Sequence, residues 1–257
     1  MSNAIIRYLF IMKISVIIPA YNEERYIAKT IEAILKQDYP DFEVIVVNNN
    51  SDDGTVAVVS PFLSDQRIRL IHETAQGLLF ARNAGLHAAK GTVIAQLDAD
   101  CIPDQQWLSL GQSYFRDPAV VGVSGPYNYY DATWPERVLM LLLQKIIFSI
   151  TSWYVQKTKK GAILVGGNSF IRVSALQKAG GYNTRLQFYA EDTDTALRIA
   201  KYGKVIYSRS LVIKTSARRF ATQGFFAIQR KYNNAFISMI RGLPITQEIT
   251  EETIHPR

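Results

Sequence analysis

The sequence predicts an α/β fold on a mostly parallel sheet, and three observations carry that prediction. Short β-branched runs alternate with helix-spaced segments, at roughly 25–30 residues per unit, which is the rhythm of βαβ units. Several of the runs are followed by polar, acidic, turn-forming residues, at the strand ends where open α/β sheets bind ligands. The chain is 257 residues long and 48% hydrophobic, enough for one sizeable core.

Taken in order, the strands fall at ISVIIP (14–19), EVIVV (43–47), IRLIH (68–72), TVIAQL (92–97) and VVGVS (120–124). In ERYIAKTIEAILKQ, Ile27, Ile31, Ile34 and Leu35 share one helical face. PAYNEE follows the first strand, NNNSDDGT the second and DADC the fourth, so three polar loops are expected to converge on one sheet edge.

The second half is less regular. Residues 136–157 read as a helix that is apolar nearly all round, with Lys145, Ser149, Ser152 and Gln156 forming a narrow polar stripe. Its length borders on membrane-spanning, and Lys145 at its middle argues against a simple span. Two readings stay open: a buried or interface helix, and a helix lying on a bilayer. AILVGGNSFIR then predicts a strand with a Gly-Gly break, AEDTDTALRIAKYG a helix, and KVIYSRSLVIKTSARRF a strand entering a basic loop. In the tail 221–257, Phe225, Ile228, Tyr232, Phe236 and Met239 line one face of a terminal helix. The expected division is one domain over 12–220, with a nucleotide half (12–104) and an acceptor half (105–220). Residues 1–11 read as an upstream extension, because MKISVIIPAYNEE is itself a natural beginning.

The formal net charge of +7 favours anionic partners such as nucleotides, phosphorylated lipids or a membrane surface. Nucleic acid has no support beyond charge, since no zinc-finger, basic-zipper or RNA-binding signature accompanies it. A single cysteine, Cys101, excludes an internal disulfide and fits a reducing, cytoplasmic setting.

Asp98 and Asp100 lie one residue apart at the end of an apolar strand, so both side chains point the same way. Like charges so placed repel unless a cation joins them or one carboxyl is protonated. Three scattered histidines form no cluster, and hard oxygen ligands suit Mg²⁺ or Mn²⁺ rather than zinc. Such an ion completes its shell with water and a substrate's phosphates, which calls for a diphosphate. Backbone amides at the helix starts near Glu23 and Gly54 could assist. There is no Walker-type loop, no G-x-G-x-x-G after the first strand and no G-x-S-x-G elbow. A nucleoside diphosphate held through a metal, with part of the ligand leaving, is what these residues suggest.

VIIPAYNEE, VVNNNSDDGT, GLLFARNAGLHAAKG, LDADC, GGNSFIR and AEDTDTALRIAKYGK occur in the order and spacing that resembles family 2 glycosyltransferases, over roughly residues 13–210. The resemblance implies a GT-A fold, Rossmann-like, and transfer of a sugar from a nucleotide sugar, usually with a divalent metal and usually with inversion. It implies that Pro19, Ala20, Tyr21 and Glu23 line base and ribose, and that Arg82 steadies the nucleotide. Asn48 stands where the family most often has a base-reading Asp, so the choice between UDP- and GDP-linked donors is open. Within Asp98-Ala99-Asp100, Asp98 would touch ribose or metal and Asp100 would be the direct metal ligand. Gly166, Gly167 and Asn168 would shape the sugar and acceptor pocket. Asp192 matches the family's catalytic base, with Glu191 in a supporting contact.

Arg218 and Arg219 are placed to clamp the leaving diphosphate by bidentate hydrogen bonds. Some relatives have a metal-binding His near this stretch; IKTSARRF has none, which implies a weaker metal site. The Q-x-x-R-W signature of processive synthases is absent, which favours single additions. The acceptor is expected to be a glycan or a lipid-linked group, with peripheral membrane contact and a role in cell-envelope glycan or glycolipid synthesis. Two other classes compete: a sugar nucleotidyltransferase, against which the acidic PAYNEE loop argues, and a non-catalytic nucleotide-sugar binder.

Overall fold

The computed structural model describes residues 11–157, 163–186 and 191–241. Residues 1–10 and 242–257 lie outside the described residues, as do the side chains of Gln156, Phe225 and Met239. The first five strands fall where the apolar runs predict them: β1 (Ile14–Ala20), β2 (Phe42–Asn48), β3 (Ile68–His72), β4 (Val93–Leu97) and β5 (Val120–Ser124). With β7 (Asn168–Arg172) and β8 (Lys204–Tyr207) they form one seven-stranded sheet in the order β3-β2-β1-β4-β7-β5-β8. Strands of both halves of the chain therefore share one sheet.

β1 and β2 are buried along nearly their whole length, as expected of strands covered on both faces. Their side chains alternate between two cores. Ile14, Val16 and Ile18 pack in the core reached by Ile27, Ile31 and Ile34 of α1 (Ile27–Leu35). Ile17 points the other way, into the core that holds Leu79 and Leu86 of α3 (Leu78–Ala88). The short helix α2 (Thr55–Val59) precedes β3, and α4 (Trp107–Ser113) precedes β5.

Ala20, Asn48 and His72 are register partners, so the carboxyl ends of β1, β2 and β3 lie side by side. β7 runs antiparallel to both its neighbours, with Asn168 opposite Leu97. That reversal brings the start of β7, preceded by Gly166-Gly167, beside Asp98 at the end of β4.

Two features depart from the sequence reading. The stretch 204–220 is not one strand and a basic loop: β8 ends at Tyr207, β9 (Ile213–Thr215) follows, and Arg218 opens a helix, α8 (Arg218–Gln223). Ser208 breaks the strand by accepting from the amides of Ser210 and Leu211. Ser216 accepts from the Arg218 amide, and Asp131 from that of Ala217, which supplies partners at a helix start. β9 pairs in parallel with β6 (Tyr127–Tyr129), a small second sheet with no alternating signal of its own.

The apolar helix, α5 (Trp134–Lys157), is not a buried one: most of its large apolar side chains are exposed. The helices α6 (Val173–Lys178), α7 (Glu191–Ile199) and α9 (Phe225–Arg241) complete the α-helices of the described residues. On α9, Ile228 is buried as the periodic pattern predicts.

Candidate active site

The loops after β1 and β2 are joined by reciprocal side-chain bonds. Asn22 donates from Nδ2 to Asp52 Oδ1 at 2.6 Å and accepts from the Asp52 amide at 3.0 Å. The Glu23 amide donates to Thr55 Oγ1, and the Gly54 amide to Glu24 Oε2. Asn22 holds φ of 57° and Asn50 φ of 61°, a left-handed conformation that Asn tolerates better than most residues. Pro19, Ala20 and Tyr21 lie at the start of this joined edge.

Asn48 is buried, its Oδ1 accepting from the Ser51 amide at 3.3 Å and its Nδ2 facing His72 Nδ1 at 3.2 Å. Asn49 donates to the carbonyls of Glu73 and Ala75 and accepts from the Gly77 amide, holding the loop that leads into α3.

Asp98 and Asp100 emerge beyond β4, and the buried Ala99 between them accepts from Thr30 Oγ1 at 2.7 Å. Asp100 is the more enclosed. It meets Arg218 Nε at 3.2 Å and Thr215 Oγ1 at 3.3 Å. Arg218 also binds Glu23 and lies 4.5 Å from the centroid of the Tyr26 ring. One guanidinium thus serves two carboxylates. Burial pushes the Glu23 carboxyl up to about 7, with Arg218 opposing and Asp100 reinforcing. Burial also raises Asp100, aided by Asp98 and opposed by Arg218.

The second ionic centre is Arg82, on α3 and only 3% exposed. It reaches Asp192 Oδ1 at 3.2 Å and Asp98 Oδ1 at 3.7 Å, joining the acid of β4 to the acid that opens α7. The Gly166 amide donates to Asp192 Oδ2 at 2.9 Å. A Cβ on Gly166 would stand 2.6 Å from both Asp192 oxygens, and one on Gly167 would stand 2.1 Å from Asp98 Oδ2. Only glycine lets this turn approach both carboxylates so closely.

Glu191 is buried beside them, and burial with the neighbouring Asp192 charge pushes its carboxyl up to about 8. Asp192 is raised as well, by burial, with Arg82 as the main opposing influence.

Asn168 does not reach this cleft. It is fully buried, accepting from Trp107 Nε1 and donating to the carbonyls of Pro126 and Leu211. Its amide therefore serves to join β7 to the neighbouring loops rather than to line a pocket. Arg219 donates to the Tyr232 hydroxyl on α9, at 3.2 Å, and its charge also acts on Asp100 and Glu191, while its neighbour Arg218 binds the acids directly. Tyr127 was not apparent from the sequence, yet its hydroxyl accepts from the Gly167 amide at 2.8 Å. Thr215 at Asp100 was equally hidden, because both lie on the small β6–β9 sheet that no periodic signal announces.

The model of the family described as Glycosyl transferase family 2 matches residues 15–180. This chain belongs to that family. Curated proteins similar to it include Glycosyltransferase AglE of Haloferax volcanii, 35% identical over 67% of this chain and 57% of its own length. Probable glycosyltransferase YdaM of Bacillus subtilis is 32% identical over 74% of this chain and 47% of its own length. The chain thus spans about half the length of these curated relatives.

Among solved structures, the mannosyltransferase PcManGT of Pyrobaculum calidifontis, in complex with GDP-Man and Mn²⁺, aligns with a TM-score of 0.69. It is 22% identical, over 95% of this chain and 68% of its own. S. aureus TarS 1–349 in complex with UDP-GlcNAc aligns at 0.60, with 22% identity, over 80% of this chain and 59% of its own. At such identities the likeness establishes the GT-A fold.

The residues present fit a divalent metal such as the Mn²⁺ of the PcManGT complex. Asp98 and Asp100 offer hard oxygens, and the buried Glu23 Oε2 beside them has no hydrogen-bond partner. Among the described residues no group of three or more His, Cys, Asp or Glu forms a ready cage. A site of one or two carboxylates completed by substrate phosphates is the arrangement that Mg²⁺ and Mn²⁺ accept.

Proposed function

We propose that this protein transfers a sugar from a UDP- or GDP-linked donor to an acceptor hydroxyl or lipid phosphate, with Mn²⁺ or Mg²⁺, by inversion and one residue at a time. The observation that carries the reading is the Arg82 bridge. It sets Asp98, on the donor side, and Asp192, on the acceptor side, around one buried cation at the end of the sheet. Donor and acceptor machinery are thereby held at a fixed separation before substrate arrives.

Asp100, with Asp98, would hold the metal, which when bound supplies Lewis-acid stabilisation to the departing diphosphate. Arg218 adds a guanidinium to the same end of the donor. Asp192 takes the proton of the acceptor hydroxyl as its oxygen attacks the anomeric carbon. The bond from that carbon to the diphosphate oxygen breaks on the opposite side, and the nucleoside diphosphate leaves with the electron pair. Arg82 and the Gly166 amide hold Asp192 oriented for that transfer. With a lipid phosphate as acceptor, its own oxyanion attacks and Asp192 positions it. We place the reaction in the cytoplasm, in cell-envelope glycan or glycolipid synthesis; the free, buried Cys101 suits that compartment.

Thermal stabilisation by UDP, GDP and dTDP, each with Mn²⁺, Mg²⁺ or a chelator, tests the donor side. One nucleoside diphosphate should raise the melting temperature only with metal, and Asp100→Ala should abolish the rise. A panel in which no nucleotide stabilises the protein under any metal condition overturns the reading.

A further inference from the structure

Helix α5 has its polarity inverted relative to an ordinary surface helix. Several of its polar residues face the protein. Gln144 both accepts from the Tyr127 amide and donates to the Tyr127 carbonyl, each at 3.0 Å. Arg137 donates to Asn128, Arg209 to Ser149, and Ser152 is buried. The opposite face carries Leu139, Leu142, Ile146, Ile150, Trp153 and Tyr154, each more than half exposed, in one stripe at helical spacing. A contiguous apolar face of this size on a folded protein marks an interaction surface.

We propose that this face lies flat in the interfacial layer of an anionic lipid bilayer. Three observations select that occupant. First, the stripe ends in the amphipathic aromatics Trp153 and Tyr154, and the exposed Trp134 opens the helix, the residue types that settle at headgroup level. Second, its borders are basic. Lys157 sits over the Trp153 ring at 4.9 Å, and the exposed Arg209 flanks Ser149. Lys145 lies midway along the helix, and the one acid within it, Glu136, is in its first turn, bound to Thr133. Two copies of the chain meeting through this face would bring these cations together, whereas anionic headgroups complement them.

Third, the helix is fastened to the protein along its length, from Arg137 through Gln144 and Phe148 to the buried Val155, so lipid cannot surround it. The six peptide links from Lys157 to the buried Ile163 reach at most about 22 Å, short of a hydrocarbon layer of about 30 Å. Although α5 passes by length and composition as a candidate span, it lies on the membrane and does not cross it.

The inference goes beyond the proposed reaction and stands without it. Flotation of the full chain with phosphatidylcholine vesicles, with and without phosphatidylglycerol, tests it. The protein should float with the anionic vesicles and far less with the neutral ones. The outward-facing pair Ile146→Glu and Ile150→Glu should lower vesicle affinity by roughly tenfold or more. The same double variant should keep its melting temperature and any nucleotide-induced stabilisation, which separates lipid binding from both folding and donor binding. Alkaline carbonate should release the bound protein. Absence of flotation, equal flotation of the double variant, resistance to carbonate, or a vesicle-free dimer that the double variant dissociates would each overturn the proposal.

Discussion

The two sides of the cleft satisfy their polar groups differently. On the β1–β2 side the loops are held by amides and hydroxyls: Asn22, Asn49, Ser51 and Thr55 each find a backbone or side-chain partner. On the β4–α7 side the residues are charged, and their bonds are incomplete. Five buried side-chain atoms among the described residues have no hydrogen-bond partner, and three of them, on Glu23, Arg82 and Glu191, belong to the cleft. Buried polar atoms normally find partners, so a deficit gathered at one place points to groups that a ligand completes. The β1–β2 side is prebuilt except at Glu23, which turns to Arg218; the ionic side is poised.

Removing Arg82 should break that arrangement most severely. Arg82→Gln leaves Asp98 and Asp192 without their shared cation. Unfolding free energy should fall by about 3 kcal/mol, as for other buried pairs stripped of one partner. Transfer activity should fall roughly a thousandfold, because both carboxylates lose their orientation. Denaturant titration and initial rates read the two effects separately. A variant with wild-type stability would mean that Arg82 is solvated and the ionic side is not poised.

Asp192→Asn sharpens the same contrast by keeping shape and removing charge. It should lower kcat by roughly a few hundredfold and leave nucleotide-induced stabilisation intact, since the proposed reaction puts Asp192 at the acceptor. Equal loss of donor binding would move Asp192 to the donor side.

The third effect is visible in pH. Glu191 in the folded protein titrates at about 8, against an ordinary value of 4.5. Between those values the unfolded chain releases a proton that the folded one keeps, so this group makes stability fall as pH rises. Below 4.5 both states are protonated, and above about 8 both are ionised, so the slope is confined to that window. Glu191→Gln should flatten the decline in melting temperature across it and stabilise the protein at its alkaline end. A decline just as steep in the variant would assign it to another group, with Glu23, raised to about 7, the first to examine by Glu23→Gln.

How much of this was written in the sequence follows from the range of each interaction. The strands of the nucleotide half and the face of α1 are local, periodic patterns, and Ile27, Ile31 and Ile34 are buried as their spacing predicts. Asp98 and Asp100 were visible as a local repeat. Arg82 was visible only as a residue near the nucleotide, because its role depends on a partner 110 positions away. Tyr127 and Thr215 escaped notice for the same reason, as did the antiparallel course of β7. The basic pair Arg218–Arg219 reads in sequence as one clamp; successive residues of a helix point about 100° apart, so Arg218 pairs with Glu23 and Asp100 directly whereas Arg219 bonds Tyr232 and reaches Asp100 through its charge. In α5 the composition suggested amphipathicity, but which face the protein covers is a tertiary fact that no periodicity contains.

The smallest expected effect comes from the prebuilt side, and it decides whether the contrast holds. Asn22 combines a left-handed backbone with a two-way bond to Asp52, all of it near the surface. Asn22→Ala should lower stability by about 1 kcal/mol, mostly through the unfavourable φ, and weaken nucleotide binding only slightly. Asn22→Gly separates the two contributions, because glycine accepts the backbone conformation and lacks the side chain. Recovery of most of the loss in the glycine variant would show that the loop needs its turn more than its bond. A loss in both variants as large as that of Arg82→Gln would mean the opposite: the amide zipper between the β1 and β2 loops would hold the cleft open, and the ionic side would depend on it.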